Sequence, residues 1–461
     1  MEHYDAIIIG SGQSGNPLAV KLAVSGWNVA LVEKEHIGGS CVNVGCSPTK
    51  TMVASARAAY VAGRAADYGV SIDGSVGMDM RRVRERKRAI VDSFSGGDQA
   101  KLERKGVRII WGEAGFTGPR EIEVALNDGG TERISGDKIF IDTGTRPAIP
   151  EIDGLDRCAI HDNATIMELS SVPEHLLVIG GGYIGVEFAG MFRRFGAKVT
   201  IVHNCEYLLC REDQDVGEAI QDIFREDGIE IMLNARTSSA TQDADGTVHL
   251  AVTTPDGEKT ITGSHLLISA GRIPNTDMLN LETAGLKVDD RGFIPTNDRL
   301  ETAVPGIYAM GDVKGGPAFT HISYDDYRVI RDNLFGGGGA SITDRMVPYV
   351  VFMDPQLGRI GLSEVAAAEA GVEFNVVKMP MAYVARAIEM DETRGFMKAL
   401  VDPDSGKILG FSCLGMEGGE LMAVVQVAMM GGLTYRDLRE GIFAHPTLAE
   451  SLNNLFSLVD Q

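Results

Sequence analysis

One pattern occurs twice in this chain and limits its fold more than anything else: an apolar strand, a glycine-rich turn, a helix and a second apolar strand. The first copy begins with Tyr4–Ile9, turns through Gly10, Ser11, Gly12, Ser14 and Gly15 into a helical segment, and returns in Trp27–Val32. That second strand leads to Glu33 and Lys34. Short, continuous apolar runs between glycine turns read as parallel strands buried on both faces. The turn lets a pyrophosphate reach the helix N-terminus, and the acid after the second strand takes a ribose hydroxyl. The second copy runs from Leu176 through Gly180, Gly182, Tyr183, Ile184 and Gly185 to Glu187, then to the strand Lys198–Val202. It ends on His203 and Asn204, with no carboxylate.

Directly after the first copy comes the stretch Gly38–Lys50, which holds Cys41 and Cys46 among Gly39, Ser40, Gly45 and Pro48. On a regular helix, side chains five apart point about 140° away from each other, so a bond between them needs a distorted first turn. Gly45 and Pro48 permit that distortion. Two thiols at this spacing can be mere buried small side chains, but their place after a nucleotide turn reads as a redox-active disulfide that exchanges electrons with a flavin. Two nucleotide folds with a dithiol between them imply electron transfer from a nicotinamide to a bound flavin.

The 461 residues are too many for one core. A formal charge of −21 argues against nucleic-acid or anionic-membrane partners. Six cysteines in this length make no disulfide framework, and catalytic use is expected instead. The first strand starts almost at the initiator, leaving no room for a signal peptide. The most apolar stretch, Leu176–Phe192, is broken by glycines and Glu187. A cytoplasmic enzyme is therefore expected. The basic run Arg81–Arg88 reads as a solvated helix face within a helical stretch from Met78 to Lys105. Strands are expected over 107–111, 121–126 and 138–141, and a further short one before Gly311 and Asp312. Gly336–Gly339 reads as a hinge. Beyond it, alternating runs over 348–352, 373–379, 393–401 and 407–414 predict an antiparallel sheet, covered by helices near 418–431 and 448–459.

These landmarks resemble the class I pyridine nucleotide–disulfide oxidoreductases, a family that includes glutathione reductase, dihydrolipoamide dehydrogenase and mercuric reductase. The segments 319–332, 347–355 and 450–459 look most like the reactive-chlorine-resistance flavoenzymes and the short mercuric-reductase-like proteins. The resemblance implies an α/β fold with two Rossmann-like domains and an α+β dimerisation domain. Their implied bounds are 1–149 with 272–341 for FAD, 150–271 for NAD(P)H, and 342–461 for dimerisation. It implies FAD contacts from Gly10, Ser11, Gly12, Ser14, Gly15, Glu33, Lys34, Gly39, Ser40, Gly45, Ala114, Thr143, Gly144, Gly311, Phe319 and Thr320. Asp312 would bind the ribityl chain. Cys46 would lie against the flavin, Cys41 would be the interchange thiol, and Lys50 would pair with Glu187. Gly180, Gly182, Ile184, Gly185, His203, Asn204 and Gly271 would line the coenzyme site, with Tyr183 shielding the nicotinamide pocket. His445 and Glu450, in a His-Pro-Thr-Leu-Ala-Glu run, would reach the dithiol of a second subunit in a homodimer.

Within the family, the sequence departs from the full mercuric reductase pattern, and neither an amino-terminal metal-binding domain nor a C-terminal vicinal cysteine pair is expected. The expected activity is NAD(P)H-dependent reduction, through FAD and the dithiol, of a soft metal ion held transiently by Cys41 and Cys46, or of a disulfide acceptor. The alternatives are a dihydrolipoamide dehydrogenase and, from another class, a redox-sensing or metal-sequestering flavoprotein. The missing carboxylate after Val202 points to NADPH, with His203 or Arg211 near its phosphate. Cys205 and Cys210 repeat the five-residue step but lack the surrounding motif, and are expected to be incidental free thiols. Met416, Met422, Met429 and Met430 read as packing rather than a copper site.

Overall fold

Successive side chains of the first strand, Glu2–Ile9, enter two different cores. Ile7 and Ile9 join a cluster with Ile139 and Ile141, while Ala6 and Ile8 pack with Leu18, Leu22 and Phe140 on the other face. A strand buried on both faces needs apolar residues at every position, which is why the run does not alternate. It pairs in parallel with Val29–Glu33 on one side and Thr131–Ile141 on the other, and the latter pairs in parallel with Ile307–Ala309. Arg108–Gly118 and Glu121–Leu126 complete this six-stranded sheet.

The computed structural model describes residues 1–460, which divide into two units. The first comprises 1–52, 81–148 and 271–345 and contains the sheet just described. The second comprises 53–80, 149–270 and 346–461, so the expected coenzyme and dimerisation segments both fall within it. Its nucleotide-type sheet is parallel throughout, ordered Glu230–Met232, Lys198–Val202, His175–Ile179, His265–Ile268 and Ile160–His161. A three-stranded antiparallel sheet follows over residues 236–263. Near the C-terminus a five-stranded antiparallel sheet is ordered Tyr349–Val351, Gln356–Gly361, Ile408–Gly415, Phe396–Val401 and Asn375–Pro380. Helices Gly418–Met430 and Ser451–Ser457 cover it, with Phe411, Val425 and Leu455 fully buried and Met422 and Met429 packed in the same core. Among the described residues, no helix is long and apolar enough to cross a membrane.

Several elements are longer than the sequence suggests, because hairpin pairing extends strands through polar residues. The strand expected at 107–111 continues to Gly118, and the one expected at 138–141 starts at Thr131, each paired with Glu121–Leu126. The basic run lies on the helix Met80–Arg104, and Arg81, Arg82 and Arg88 are solvated as expected. Lys87, however, is only 3% exposed and Arg86 donates to the Thr51 carbonyl, so part of this face is packing surface.

The second unit carries one fully buried cation. Lys398 Nζ lies 2.7 Å from carboxylate oxygens of Asp213, Asp215 and Glu364. Burial alone would push the Asp215 carboxyl up, but hydrogen bonds from Lys378 and Lys398 outweigh it and hold it below its usual range. Asp215 therefore contributes stability that is full above the unfolded carboxylate pKa, about 3.9, and fades as pH falls through the lower folded value. Lys398→Met should destabilise this unit by about 3 kcal/mol, the low end for breaking a buried ion cluster, since two of the acids are part-exposed. It should also weaken the acid-side pH dependence. Unfolding curves of the variant at pH 7 and below pH ~4 test this, and unchanged stability would refute it.

Candidate active-site dithiol and nucleotide turns

Cys41 and Cys46 come together across a break between two helices rather than within one distorted turn. Cys41 sits in the short helix Gly39–Asn43, and Cys46 is the first residue of the helix Cys46–Gly63. Gly45 separates the two helices: a Cβ there would lie 2.7 Å from the Ser40 carbonyl oxygen and 3.0 Å from Cys41 Cα. Both are free thiols in this structure. Cys46 Sγ also lies 3.3 Å from the Thr320 hydroxyl, which opens the helix Thr320–Phe335 behind its N-cap Phe319. The hydrogen bond with Cys46 and burial both push the Cys41 thiol well above its ordinary value, while Thr320 works the other way. The other sulphur, the exposed one, lies beside a helix N-terminus, which favours negative charge. Lys50 follows Cys46 by four residues on the same helix.

The first nucleotide turn fits a dinucleotide. A Cβ at Gly15 would lie 2.5 Å from the Gly10 carbonyl oxygen, so only glycine lets this helix start so close to the strand end. Ser11 donates through N–H and hydroxyl to Glu33 Oε2, and Glu35 N–H donates to Oε1. Oε2 is thereby filled, while Oε1 keeps a second lone pair for a ribose hydroxyl. Lys34 pairs with Glu113 at 3.8 Å. The turn is braced from behind: Gly15 N–H donates to Asp142, and the Ser14 hydroxyl to the Ser323 carbonyl. Gly12 and Gly39 are close enough that a Cβ on Gly39 would lie 2.8 Å from Gly12 Cα, which brings the Gly39–Ser40 segment onto the turn. Thr143 and Gly144 are clamped by Asn275, which bonds both residues. Ala114 is buried in the sheet core, so only its backbone is free to meet a ligand.

Asp142, Asp312 and Asp326 converge beneath this turn. Burial pushes the Asp142 carboxyl well up, and the other two carboxylates add to the shift. Burial also raises Asp312, offset by Arg272, the Thr145 hydroxyl and Lys314. Asp326, fully buried, is held by Arg345, Lys314 and the Gly311 N–H. Asp312 is the member of the three that remains part-exposed, on the short helical turn Gly311–Lys314.

The second turn is built alike: a Cβ at Gly185 would lie 2.0 Å from the Gly180 carbonyl oxygen. Gly182 caps the helix Tyr183–Phe195, leaving Tyr183 and Ile184 in its first turn. His203 is buried, and its Nδ1 accepts the Gly181 N–H at 3.1 Å; Asn204 and Arg211 are exposed. Gly271, at φ +139°, closes the nucleotide segment. Glu187 is buried and accepts the Phe352 N–H at 2.7 Å. Tyr183 donates to Glu212 Oε1 at 2.8 Å; Tyr349 donates to the same oxygen, and Arg359 pairs with Oε2 at 3.3 Å. Burial and the Glu212 charge raise the Tyr183 hydroxyl above its ordinary value, keeping it a donor. The expectation of free thiols at Cys205 and Cys210 is overturned: the two are joined by a disulfide, with Cα atoms 6.3 Å apart. No surrounding motif marks it, because the tight loop between strand and helix brings the pair together.

His445 and Glu450 pair on a surface. His445 Nδ1 lies 2.9 Å from Glu450 Oε2, while the histidine side chain is 70% exposed. The carboxylate fixes the proton on Nδ1 and leaves Nε2 with its lone pair outward. Glu212, Asp142, Asp326 and Arg272 were invisible as site residues in the sequence. Asp142 adjoins Thr143 and Gly144 and Arg272 follows Gly271, but no motif marks their contacts, and Glu212 and Asp326 lie outside the glycine turns altogether.

A family profile described as pyridine nucleotide-disulphide oxidoreductase matches residues 4–326, and the dimerisation domain of that family matches 347–456. The copper(II) complex of the HOCl-induced flavoprotein disulfide reductase RclA from Escherichia coli superposes with a TM-score of 0.91, at 40% identity and 100% coverage of both chains. The chain is 34% identical to the dihydrolipoyl dehydrogenase of Haloferax volcanii and 34% to the mercuric reductase of Streptomyces lividans. In each case the match covers 97% of this chain and 94% of the relative.

Thr320→Val should raise the thiol pKa of the dithiol and slow its alkylation by iodoacetamide at pH 7 by about threefold or more, the effect of losing one modest hydrogen bond to a thiolate. Equal alkylation rates in the variant and the parent would remove Thr320 from the site.

Proposed function

We propose, from the premise that this chain belongs to the pyridine nucleotide-disulphide oxidoreductases, that it reduces a soft metal ion or a non-lipoyl disulfide at the expense of NADPH. The observation that carries this reading is the Cys41–Cys46 pair, with its exposed sulphur beside Thr320 at a helix N-terminus. FAD, when bound at the first turn, relays two electrons from the reduced nicotinamide to the sulphur pair.

The residues then have separate tasks. Cys46 takes the flavin-facing role and Cys41 the exchange role. With a disulfide acceptor, a dithiol sulphur attacks one acceptor sulphur and expels the other as a thiolate. The second dithiol sulphur then closes the Cys41–Cys46 bond and releases the second thiolate, so two electrons move. The partner subunit's His445, oriented by a carboxylate, supplies and recovers the protons, which makes a homodimer the active unit. With a soft cation, the two thiolates would serve as ligands, and the two electrons supplied by the coenzyme through the flavin would reduce one mercuric ion or two cupric ions. The RclA relative is known as a copper(II) complex, and the mercuric reductase relative acts on another thiophilic ion. NADPH is favoured because the strand Lys198–Val202 is followed by His203 and Asn204, with no acid to repel a 2′-phosphate. With His203 buried against Gly181, exposed Arg211 is the better candidate for that phosphate.

The dihydrolipoyl dehydrogenase relative is as similar as the mercuric one, so the acceptor must be assayed directly. Turnover of mercuric ion, cupric ion or glutathione disulfide with NADPH should exceed oxidation of dihydrolipoamide with NAD⁺. Dihydrolipoamide as the best substrate would replace this reading with the dehydrogenase one. His445→Ala should slow disulfide turnover by ~10²-fold or more, the usual scale of general acid–base catalysis, with flavin reduction by coenzyme unchanged.

A further inference from the structure

The disulfide between Cys205 and Cys210 closes the loop that carries the second nucleotide turn. Both backbone polar groups of Gly181 depend on this loop. Its N–H donates to His203 Nδ1 at 3.1 Å, and its carbonyl accepts the Leu209 N–H at 3.0 Å. Leu208, fully buried, fills the space beneath: a Cβ at Gly181 would meet it at 2.5 Å. Leu209 holds φ at +52°, in the left-handed region that a leucine disfavours and that loop closure enforces. Its carbonyl accepts the N–H of Glu212, the acid that positions Tyr183. One short covalent ring therefore braces both the turn and the tyrosine.

The pair is also chemically addressable. Cys210 is exposed. One nitrogen of the His203 imidazole lies within 4.8 Å of both sulphurs. With Nδ1 occupied by Gly181, Nε2 carries the proton of the neutral ring, and it is buried with no hydrogen-bond partner among the described residues. Once the pair is reduced, its thiolate is the form that oxidants attack.

We propose that Cys205 and Cys210 are a second thiol–disulfide site, distinct from Cys41 and Cys46, at which a two-electron oxidant such as a peroxide makes the bond that preforms the coenzyme turn. A thiolate attacks one peroxide oxygen and hydroxide leaves, giving a sulfenic acid. The second sulphur displaces that oxygen as water, so two thiols and one hydrogen peroxide yield one disulfide and two waters. Reduction by a small dithiol, which gives up two electrons and two protons and closes its own disulfide, reverses the state: the loop relaxes, Gly181 loses its anchor at Leu209, and coenzyme binds more weakly. The effect on coenzyme rests on the proposed nicotinamide role of this fold; the effect on the turn does not.

The test compares the FAD-loaded parent with its Cys205→Ser/Cys210→Ser variant, both with Cys41 and Cys46 oxidised. Differential alkylation and mass spectrometry after hydrogen peroxide should find Cys205 and Cys210 linked in the parent. In the variant, amide hydrogen exchange should quicken over residues 180–183. The coenzyme concentration for half-maximal flavin reduction should rise about fivefold or more, the low end of ordinary coupling between sites, with the limiting rate unchanged. Exchange measured on the parent before and after reduction of this pair gives the same comparison without substitution. Both sulphurs alkylated after peroxide, or equal exchange in the two states, would overturn the proposal. A turn that loosens in a protein whose flavin no nicotinamide coenzyme reduces would instead overturn the proposed function and leave this inference standing.

Discussion

The dithiol depends on the absence of one carbon atom. Any side chain at position 45 would begin 2.7 Å from a backbone oxygen and 3.0 Å from Cys41 Cα, so the helix ending at Asn43 and the one starting at Cys46 could not approach as they do. Everything chemical about the pair follows from that approach. It lets the two sulphurs influence one another, so that the Cys41 thiol is pushed above its ordinary value, and it leaves the accessible sulphur beside Thr320. The same economy recurs at both nucleotide turns, where Gly15 and Gly185 let a helix begin against a strand end.

A second theme is the management of buried charge. Asp326 sits fully buried but is met by Arg345, Lys314 and a backbone N–H. Asp142 is instead driven toward its neutral form by burial, so the Gly15 N–H meets a carboxyl group with less charge to solvate. Lys398 reverses the signs, one ammonium among three acids. In each case one partner removed leaves others uncompensated, which ties local geometry to overall stability.

The sequence made legible what repeats and what is covalently local. Two glycine turns, two apolar strand sets, the Cys41–Cys46 stretch and the His445–Glu450 pair are short-range patterns, and they correspond to the elements observed. Strand ends were less legible, since the extension of Arg108–Gly118 and Thr131–Ile141 comes from pairing with a hairpin partner. The Lys87 side chain looked solvated because its neighbours are charged, yet it is buried by tertiary packing. The Cys205–Cys210 bond was misjudged for a related reason. Its formation depends on where Gly181, His203 and Leu208 fix the loop, and no spacing rule encodes that.

Glu212 has a consequence for how substitutions around it should be interpreted. One of its oxygens accepts from two tyrosines, and the other faces an arginine. Its single charge is thus shared among three donors, one from a helix and two from a pair of neighbouring strands far from that helix in the chain. Trimming the Tyr183 hydroxyl would leave the aromatic ring in place but let Tyr349 and Arg359 draw the carboxylate toward themselves. A defect in such an enzyme would then report a redistributed counter-ion, not a missing shield. The tyrosine and its acid behave as one element split between two residues, and genetics that treats them singly will assign its effects to the wrong one.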